Sequence, residues 1–158
     1  VLIVGGGGKA GILSAFAARK KLGKSGKIFA IEPFAKAAQE LRNLGVCNEV
    51  FEDNATEAAT VFERMSKATK GKGADLIINV ASVPGTENSC LLSVKPKGTI
   101  LFFGMATSFS KVALGAEALS INAKLLFGNG YFPKHDQFSL QLLRDFPNLK
   151  KLFYSRYQ

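Results

Sequence analysis

The sequence predicts a doubly wound α/β fold: a six-stranded parallel sheet with helices on both faces. Three observations predict it. Short apolar, strand-like runs recur six times along the 158 residues, at 1–4, 27–31, 49–51, 75–81, 99–103 and 124–127. Helical spacing fills most of the intervals, and strands that alternate with helices build a parallel sheet because each crossover returns the chain to the same end. Finally, Gly5 to Gly8 join the first run to the first helix, and an acid, Glu32, ends the second run.

Taken in order, Val1 to Val4 is the first strand. The helix after it, Gly11 to Leu22, sets Ile12, Ala15, Phe16 and Arg19 at three- and four-residue steps, and Gly23 stands where a C-terminal cap belongs. Lys27 to Ile31 is the second strand, and Ala35 to Leu44 the second helix, stopped by Gly45. Glu49 to Phe51 is the third strand. Asn54 followed by Glu57 marks the start of the third helix, with Asn54 accepting backbone N–H bonds, and that helix runs to the loop of Lys70, Gly71, Lys72 and Gly73. Asp75 to Ala81 is the fourth strand, and a shorter helix follows Pro84 and Gly85. Thr99 to Phe103 is the fifth. Leu114 to Leu119 reads equally as helix or loop, whereas Lys124 to Phe127, followed by Gly128, Asn129 and Gly130, is the last strand. Asp136 to Phe146 and Asn148 to Tyr157 form a helical pair broken around Pro147.

A hydrophobic content of 47% is enough for one core, so residues 1–158 read as a single domain. No run approaches the roughly 18 consecutive apolar residues that a membrane helix needs. The chain opens on strand residues without Met, basic n-region or cleavage pattern, so the expectation is part of a longer, cytoplasmic polypeptide rather than a secreted one. Cys47 and Cys90 lie 43 positions apart with no second Cys or His at ligand spacing, which reads as two reduced thiols and no metal site. The net charge of +9 raises nucleic acid as a partner. Its densest cluster, Arg19, Lys20, Lys21, Lys24 and Lys27, falls at a helix end where cations complement the dipole, and no aromatic platforms interleave with it, so neither nucleic acid nor membrane is expected.

Gly6, Gly8 and Gly11 satisfy G-x-G-x-x-G between a strand and a helix, the context that gives the pattern meaning. Gly6 would allow the tight turn, Gly8 would leave no side chain between backbone and a pyrophosphate, and Gly11 would let helix pack on strand, the Rossmann arrangement. The helix-start N–H groups would then face the phosphates. A flexible spacer is the competing reading, but spacers seldom join a buried strand directly to an amphipathic helix. Candidate pyrophosphate residues are therefore Gly6, Gly7, Gly8, Lys9, Ala10 and Gly11, with Lys9 either at a phosphate or solvated, and with no job assigned to Gly5 or specifically to Gly7.

Glu32, 21 residues past Gly11, would accept both ribose hydroxyls of an adenosine and repel a 2′-phosphate, which favours NAD while leaving NADP possible. The alternative is an exposed strand-end acid, its repulsion partly offset by Lys36. Asp53, Asn54 and Ala55 would lie near the adenine, and a capping role for Asn54 is compatible with that. Asn79, Val80 and Ala81 after the fourth strand, with Gly104 and Met105 after the fifth, would flank the nicotinamide half, because ligands of open parallel sheets bind at carboxyl ends of strands.

The segments GGGGKAG, AIEP, NVASVPGTE, FFGMATSF, ALGAEAL and GNGY together resemble the L-erythro-3,5-diaminohexanoate dehydrogenase family of lysine fermentation, over nearly the whole chain. Generic dinucleotide folds share only the first two segments. That family is in turn similar to medium-chain dehydrogenases, whose cofactor domain is paired with a separate catalytic domain. The resemblance implies an NAD-dependent oxidoreductase in which hydride leaves the amine carbon of the diamino acid, water releases ammonia, and 5-amino-3-oxohexanoate remains. It also implies that residues 1–158 are the cofactor half, inactive alone, and that the last strand pairs with its copy in a homodimer, as unpaired edges invite.

The chemistry needs a base for the ammonium proton, and no residue here is a convincing one. His135, the single histidine, follows Pro133 at a helix start with no acid to orient it, and reads as a cap or surface residue. Glu87 and Glu117 either attract a cationic substrate or are solvated. Catalysis is therefore unassigned, and a domain at +9 repels a substrate with two ammonium groups, so recognition acids are expected elsewhere. Two other classes remain. A methyltransferase using S-adenosylmethionine would follow the sixth strand with an antiparallel hairpin, not a helix. A nucleotide-sensing module would bind NAD without catalysis.

Overall fold

The computed structural model describes residues 1–128 and 131–157, so Asn129 and Gly130 of the segment after the last strand lie outside the described residues. The elements run β1 Leu2–Val4, α1 Lys9–Leu22, β2 Phe29–Ile31, α2 Ala35–Asn43, β3 Glu49–Phe51, α3 Ala58–Thr69, β4 Ala74–Asn79, α4 Glu87–Ser93, β5 Val94–Phe102, α5 Phe109–Ala118, β6 Lys124–Phe127, α6 His135–Asp145 and α7 Pro147–Tyr157. The six strands form one parallel sheet in the order β3-β2-β1-β4-β5-β6. The chain winds outward from β1 in one direction and from β4 in the other. The crossovers on either side of the β1/β4 pair therefore diverge and leave a crevice above the carboxyl ends of those strands.

Alternation along each strand supplies two cores. Leu2, Val4, Phe29, Ile31, Ile77 and Ile100 face Val61 and Met65 of α3, Cys90 and Leu91 of α4 and Val112 of α5. Ile3, Ile28, Ala30 and Val50 face the other way, onto Ile12, Ala15 and Phe16 of α1, Ala38 and Leu41 of α2, and Leu142 and Leu149 of α6 and α7. The last two helices thus complete the layer that carries the glycine turn. Phe16 and Phe146 meet with ring centroids 4.8 Å apart, a pair worth about 0.5–1.5 kcal/mol beyond its burial. Arg19 is no solvated surface cation: its guanidinium donates to the carbonyls of Val46, Gly23 and Gly26 and to Asn48, tying α1 to the chain that enters β3.

Two expectations are corrected and one open reading is settled. Asn54 does not cap α3: its Oδ1 accepts the N–H of Thr56 in a local turn, and Glu57 is the N-cap, without a side-chain bond. A short polar side chain that satisfies its own turn is thereby withdrawn from the helix. The fifth strand begins at Val94, five residues earlier than its apolar run, because Val94 pairs with Ala74 before the ladder resumes at Leu76 and Thr99. Pro96, which cannot donate, and Lys97, at φ 62°, occupy the irregular stretch between. Residues 114–119 are settled as helix up to Ala118, started by the Ser108 hydroxyl accepting the Lys111 N–H.

Candidate functional site

The turn between β1 and α1 is fixed to its neighbours from several sides. The N–H groups of Gly5 and Gly6 both donate to the Ile31 carbonyl, at 3.1 and 2.9 Å. Gly5 takes φ 84°, which a side chain would strain, and a Cβ on it would lie 2.9 Å from the Ala81 backbone. A Cβ on Gly11 would lie 2.2 Å from the Gly5 carbonyl oxygen, so close packing of α1 on the turn requires its absence. Gly7 gains a role that its place in the motif did not disclose. Its N–H donates to Glu32 Oε2 at 2.8 Å, and a Cβ there would collide with that carboxylate and with Ala37.

Gly8 is different. It is the N-cap of α1 with an ordinary extended backbone, no side chain caps the helix, and a Cβ would meet nothing nearer than the Gly5 oxygen at 3.8 Å. The protein's own packing leaves that space clear. The first-turn N–H groups of α1, including Lys9 and Ala10, face it without a capping side chain. This is a concave set of donors at the positive end of a helix, chemically matched to a phosphate. Lys9 is exposed, and its ammonium sits 4.2 Å over the Tyr157 ring.

Glu32 is 5% exposed, beneath the turn, and its second oxygen accepts the Phe34 N–H at 3.2 Å. The exposed-acid alternative therefore fails. Each oxygen keeps a lone pair beyond its backbone bond, so a diol could still be accepted. Lys36 is exposed on α2. Sequence reasoning missed one participant altogether. Arg156, on α7, donates to the Gly7 carbonyl at 2.8 Å and is gripped by Glu40 of α2 through Nε at 2.9 Å and through Nη2. Partial burial works against its charge; the Glu40 carboxylate and Tyr157 hydroxyl more than offset that, and its pKa sits above the usual guanidinium value. At 149 residues from Gly7, no local spacing signals the pairing.

Asp53, Asn54 and Ala55 follow β3 along one flank of the crevice. Asp53 pairs with Arg64 at 3.0 Å, Asn54 is exposed, and Ala55 is buried with its carbonyl accepting the Ser89 hydroxyl. On the other flank Asn79 is fully buried. Its amide donates to Thr86 at 2.8 Å, its side-chain oxygen accepts the Ala81 N–H, and its carbonyl accepts the N–H groups of Phe103 and Gly104. Val80 donates to the Val4 carbonyl. A Cβ on Gly104 would lie 2.4 Å from the Ala81 oxygen, so the ends of β1, β4 and β5 converge on Ala81. Met105 stands at the rim, 90% exposed.

Glu87 is neither solvated nor turned to a substrate. It is 2% exposed and accepts the Ser108 N–H at 2.7 Å, anchoring the segment after β5. Glu117 is exposed. His135 is the first residue of α6, exposed, with Nδ1 2.9 Å from the Phe132 carbonyl oxygen and its ring edge-on to Tyr131. Burial pushes the Cys47 thiol up to about 12 despite Arg19, and pushes Cys90 up too, with the Glu87 charge adding to it. Neither is a poised nucleophile.

A hollow of about 690 Å³ opens at the opposite, amino end of the sheet among Lys27, Lys70, Lys72 and Lys95. It has no glycine turn and no helix start, and the carboxyl-end crevice is the better site on chemistry.

A family model described as zinc-binding dehydrogenase matches residues 11–137. Among the described residues no group of three or more His, Cys, Asp and Glu side chains could hold a metal ion, so these residues supply no donor set for zinc. The chain is 34% identical over 157 residues to an L-erythro-3,5-diaminohexanoate dehydrogenase of Acetoanaerobium sticklandii, covering 99% of this chain and 46% of that protein. It is 36% identical over 153 residues to the enzyme of the same name from Fusobacterium nucleatum, covering 97% and 44%. It thus spans about half the length of the curated relatives it matches. A mycobacterial quinone oxidoreductase structure superposes with a TM-score of 0.70 at 19% identity, over 95% of this chain and 45% of that one, a likeness of fold. The family model, covering most of the described sheet and its helices, decides the affiliation: the chain belongs to the zinc-binding dehydrogenase family.

Proposed function

We propose that the chain is the NAD-binding half of an oxidoreductase that oxidatively deaminates L-erythro-3,5-diaminohexanoate to 5-amino-3-oxohexanoate with release of ammonia. The observation that carries the cofactor reading is Gly8: a helix start with no side-chain cap, where a Cβ would meet nothing beyond its chain neighbours nearer than the Gly5 oxygen at 3.8 Å. A side-chain cap would have satisfied the helix; its absence leaves the donors for a pyrophosphate. Gly6, Gly7, Gly8, Lys9, Ala10 and Gly11 would line that group. Glu32 would accept the ribose hydroxyls and disfavour a 2′-phosphate, with Asp53, Asn54 and Ala55 toward the adenine. Asn79, Val80, Ala81, Gly104 and Met105 would border the nicotinamide, whose part in the chemistry is to accept hydride.

The substrate reading rests on the names of the two relatives and on the family-like segments. Glu87 is committed to Ser108 and offers no substrate acid, which agrees with a separate catalytic domain that holds the proton-transfer groups. On this reading the chain alone is inactive, works in the cytoplasm, and forms a homodimer through β6. Sedimentation showing only monomer at micromolar concentration would remove the dimer for this chain.

Calorimetry with NAD, NADP and S-adenosylmethionine tests the cofactor. NAD should bind more tightly than NADP, and stronger binding of S-adenosylmethionine than of either dinucleotide would overturn the reading. For the substrate, the complete enzyme should form NADH, followed by absorbance, with 3,5-diaminohexanoate and not with simple alcohols. Turnover of alcohols alone would point instead to another medium-chain dehydrogenase.

A further inference from the structure

We propose that Arg156 is a positioning residue for the pyrophosphate turn, holding the Gly7 carbonyl so that the Gly8 N–H is presented to the phosphates. The inference rests on the dinucleotide reading above. A peptide between two glycines carries no Cβ on either side and rotates with little steric resistance, so the Gly7–Gly8 unit needs an external restraint to keep one orientation. The structure supplies it on both sides of Gly7. The N–H of Gly7 is held by Glu32 at 2.8 Å, and its carbonyl by Arg156 Nη1 at 2.8 Å.

No described peptide bond is cis, and across a planar trans peptide the carbonyl and the next N–H point in opposite directions. With the Gly7 carbonyl turned toward α7, the Gly8 N–H faces away from it. Gly8 is exposed, and beyond its chain neighbours nothing of the protein comes within 3.8 Å of where its side chain would be. Arg156 acts through Gly7 and not as a phosphate ligand, because its other two nitrogens are committed to Glu40. The planar guanidinium suits that division: Nε and Nη2 form one edge on the carboxylate, and Nη1 is left at a fixed angle for the carbonyl. Lysine has no second edge. The Tyr157 ring next to Arg156 also takes up the Lys9 ammonium at 4.2 Å, so the end of α7 organises two consecutive parts of the helix start.

The test compares NAD with adenosine, which lacks the pyrophosphate, on the full chain. Arg156→Ala, shown to be folded by circular dichroism, should weaken NAD about tenfold, equivalent to about 1.4 kcal/mol, and change adenosine affinity less than twofold. Arg156→Lys should fall between the two for NAD. Equal losses for NAD and adenosine, or NAD binding like wild type, would overturn the proposal. If Arg156→Ala does not fold, Glu40→Gln decides: it loosens the guanidinium without touching Gly7, and should weaken NAD about threefold by the same conversion, whereas NAD affinity unchanged by it would overturn the proposal. A wild-type chain that binds adenosine and neither dinucleotide is a separate failure; it would remove the dinucleotide reading, and Arg156 with it.

Discussion

The two flanks of the crevice are built differently. At the glycine turn, Gly5, Gly6 and Gly7 all donate to acceptors on β2 or at its end, Glu32 is buried beneath them, and Arg156 closes the far side. Beyond β5, Phe103, Met105 and Phe109 are exposed, and Phe127 on the edge strand, itself exposed, packs against Phe102 and Phe109 at 5.3 and 5.0 Å between centroids. One flank is finished by the chain's own hydrogen bonds. The other ends in apolar surface, the kind that marks a place for further protein or ligand. The difference teaches that the half proposed for the pyrophosphate is held by the chain's own contacts, whereas the half proposed for nicotinamide is bounded on the inside only.

Substitutions can break or sharpen that contrast. The largest effect is expected at Gly11→Val, where the new Cβ would sit 2.2 Å from a backbone oxygen; a loss on the order of 4 kcal/mol or more, read by urea unfolding, is expected for such overpacking. Asn79→Ala strikes the end of β4, leaving Thr86 and the Ala81 N–H without their buried partner, and should cost about 2–3 kcal/mol by the same measurement. Next, Glu32→Ala removes the acceptor of two backbone N–H groups, at about 1–2 kcal/mol; thermal unfolding that matched wild type would contradict a flank held by the chain's own contacts. A milder probe uses the thiols. With Cys47 raised to about 12 and Cys90 fully buried, thiolate is scarce at pH 8, so a disulfide reagent should label the native chain far more slowly than the unfolded one. The smallest effect belongs to the open flank: Met105→Ser, at a side chain 90% exposed, should leave stability within about 0.5 kcal/mol.

Much of the closed flank was legible in the sequence, and for a physical reason. Strand, glycine turn and acid are consecutive in the chain, so the spacing of Gly6, Gly8, Gly11 and Glu32 expresses a local geometry. The parallel sheet was legible for a similar reason, since strands buried on both faces are continuous apolar runs. What escaped was non-local. Arg156 sits on an ordinary amphipathic helix with other basic residues around it, and only the docking of α7 on α1 and α2 selects it. Glu87 read as either a substrate acid or a solvated one because its partner is a backbone N–H, which no residue type announces. The early start of β5 was hidden by Pro96 and two lysines, which look like a loop until Val94 is paired with Ala74.

Ala81 touches Gly5 on one side and Gly104 on the other, and most of the touching atoms are its own backbone: Cα and N toward Gly5, the carbonyl oxygen toward Gly104. In a genetic screen this has a plain consequence. A side chain introduced at either glycine cannot be compensated at position 81, because shortening alanine to glycine removes the methyl and leaves the atoms in conflict where they are. Suppressors of such alleles would have to arise by shifting a whole strand end, so the three positions should behave as a triplet that tolerates no pairwise exchange.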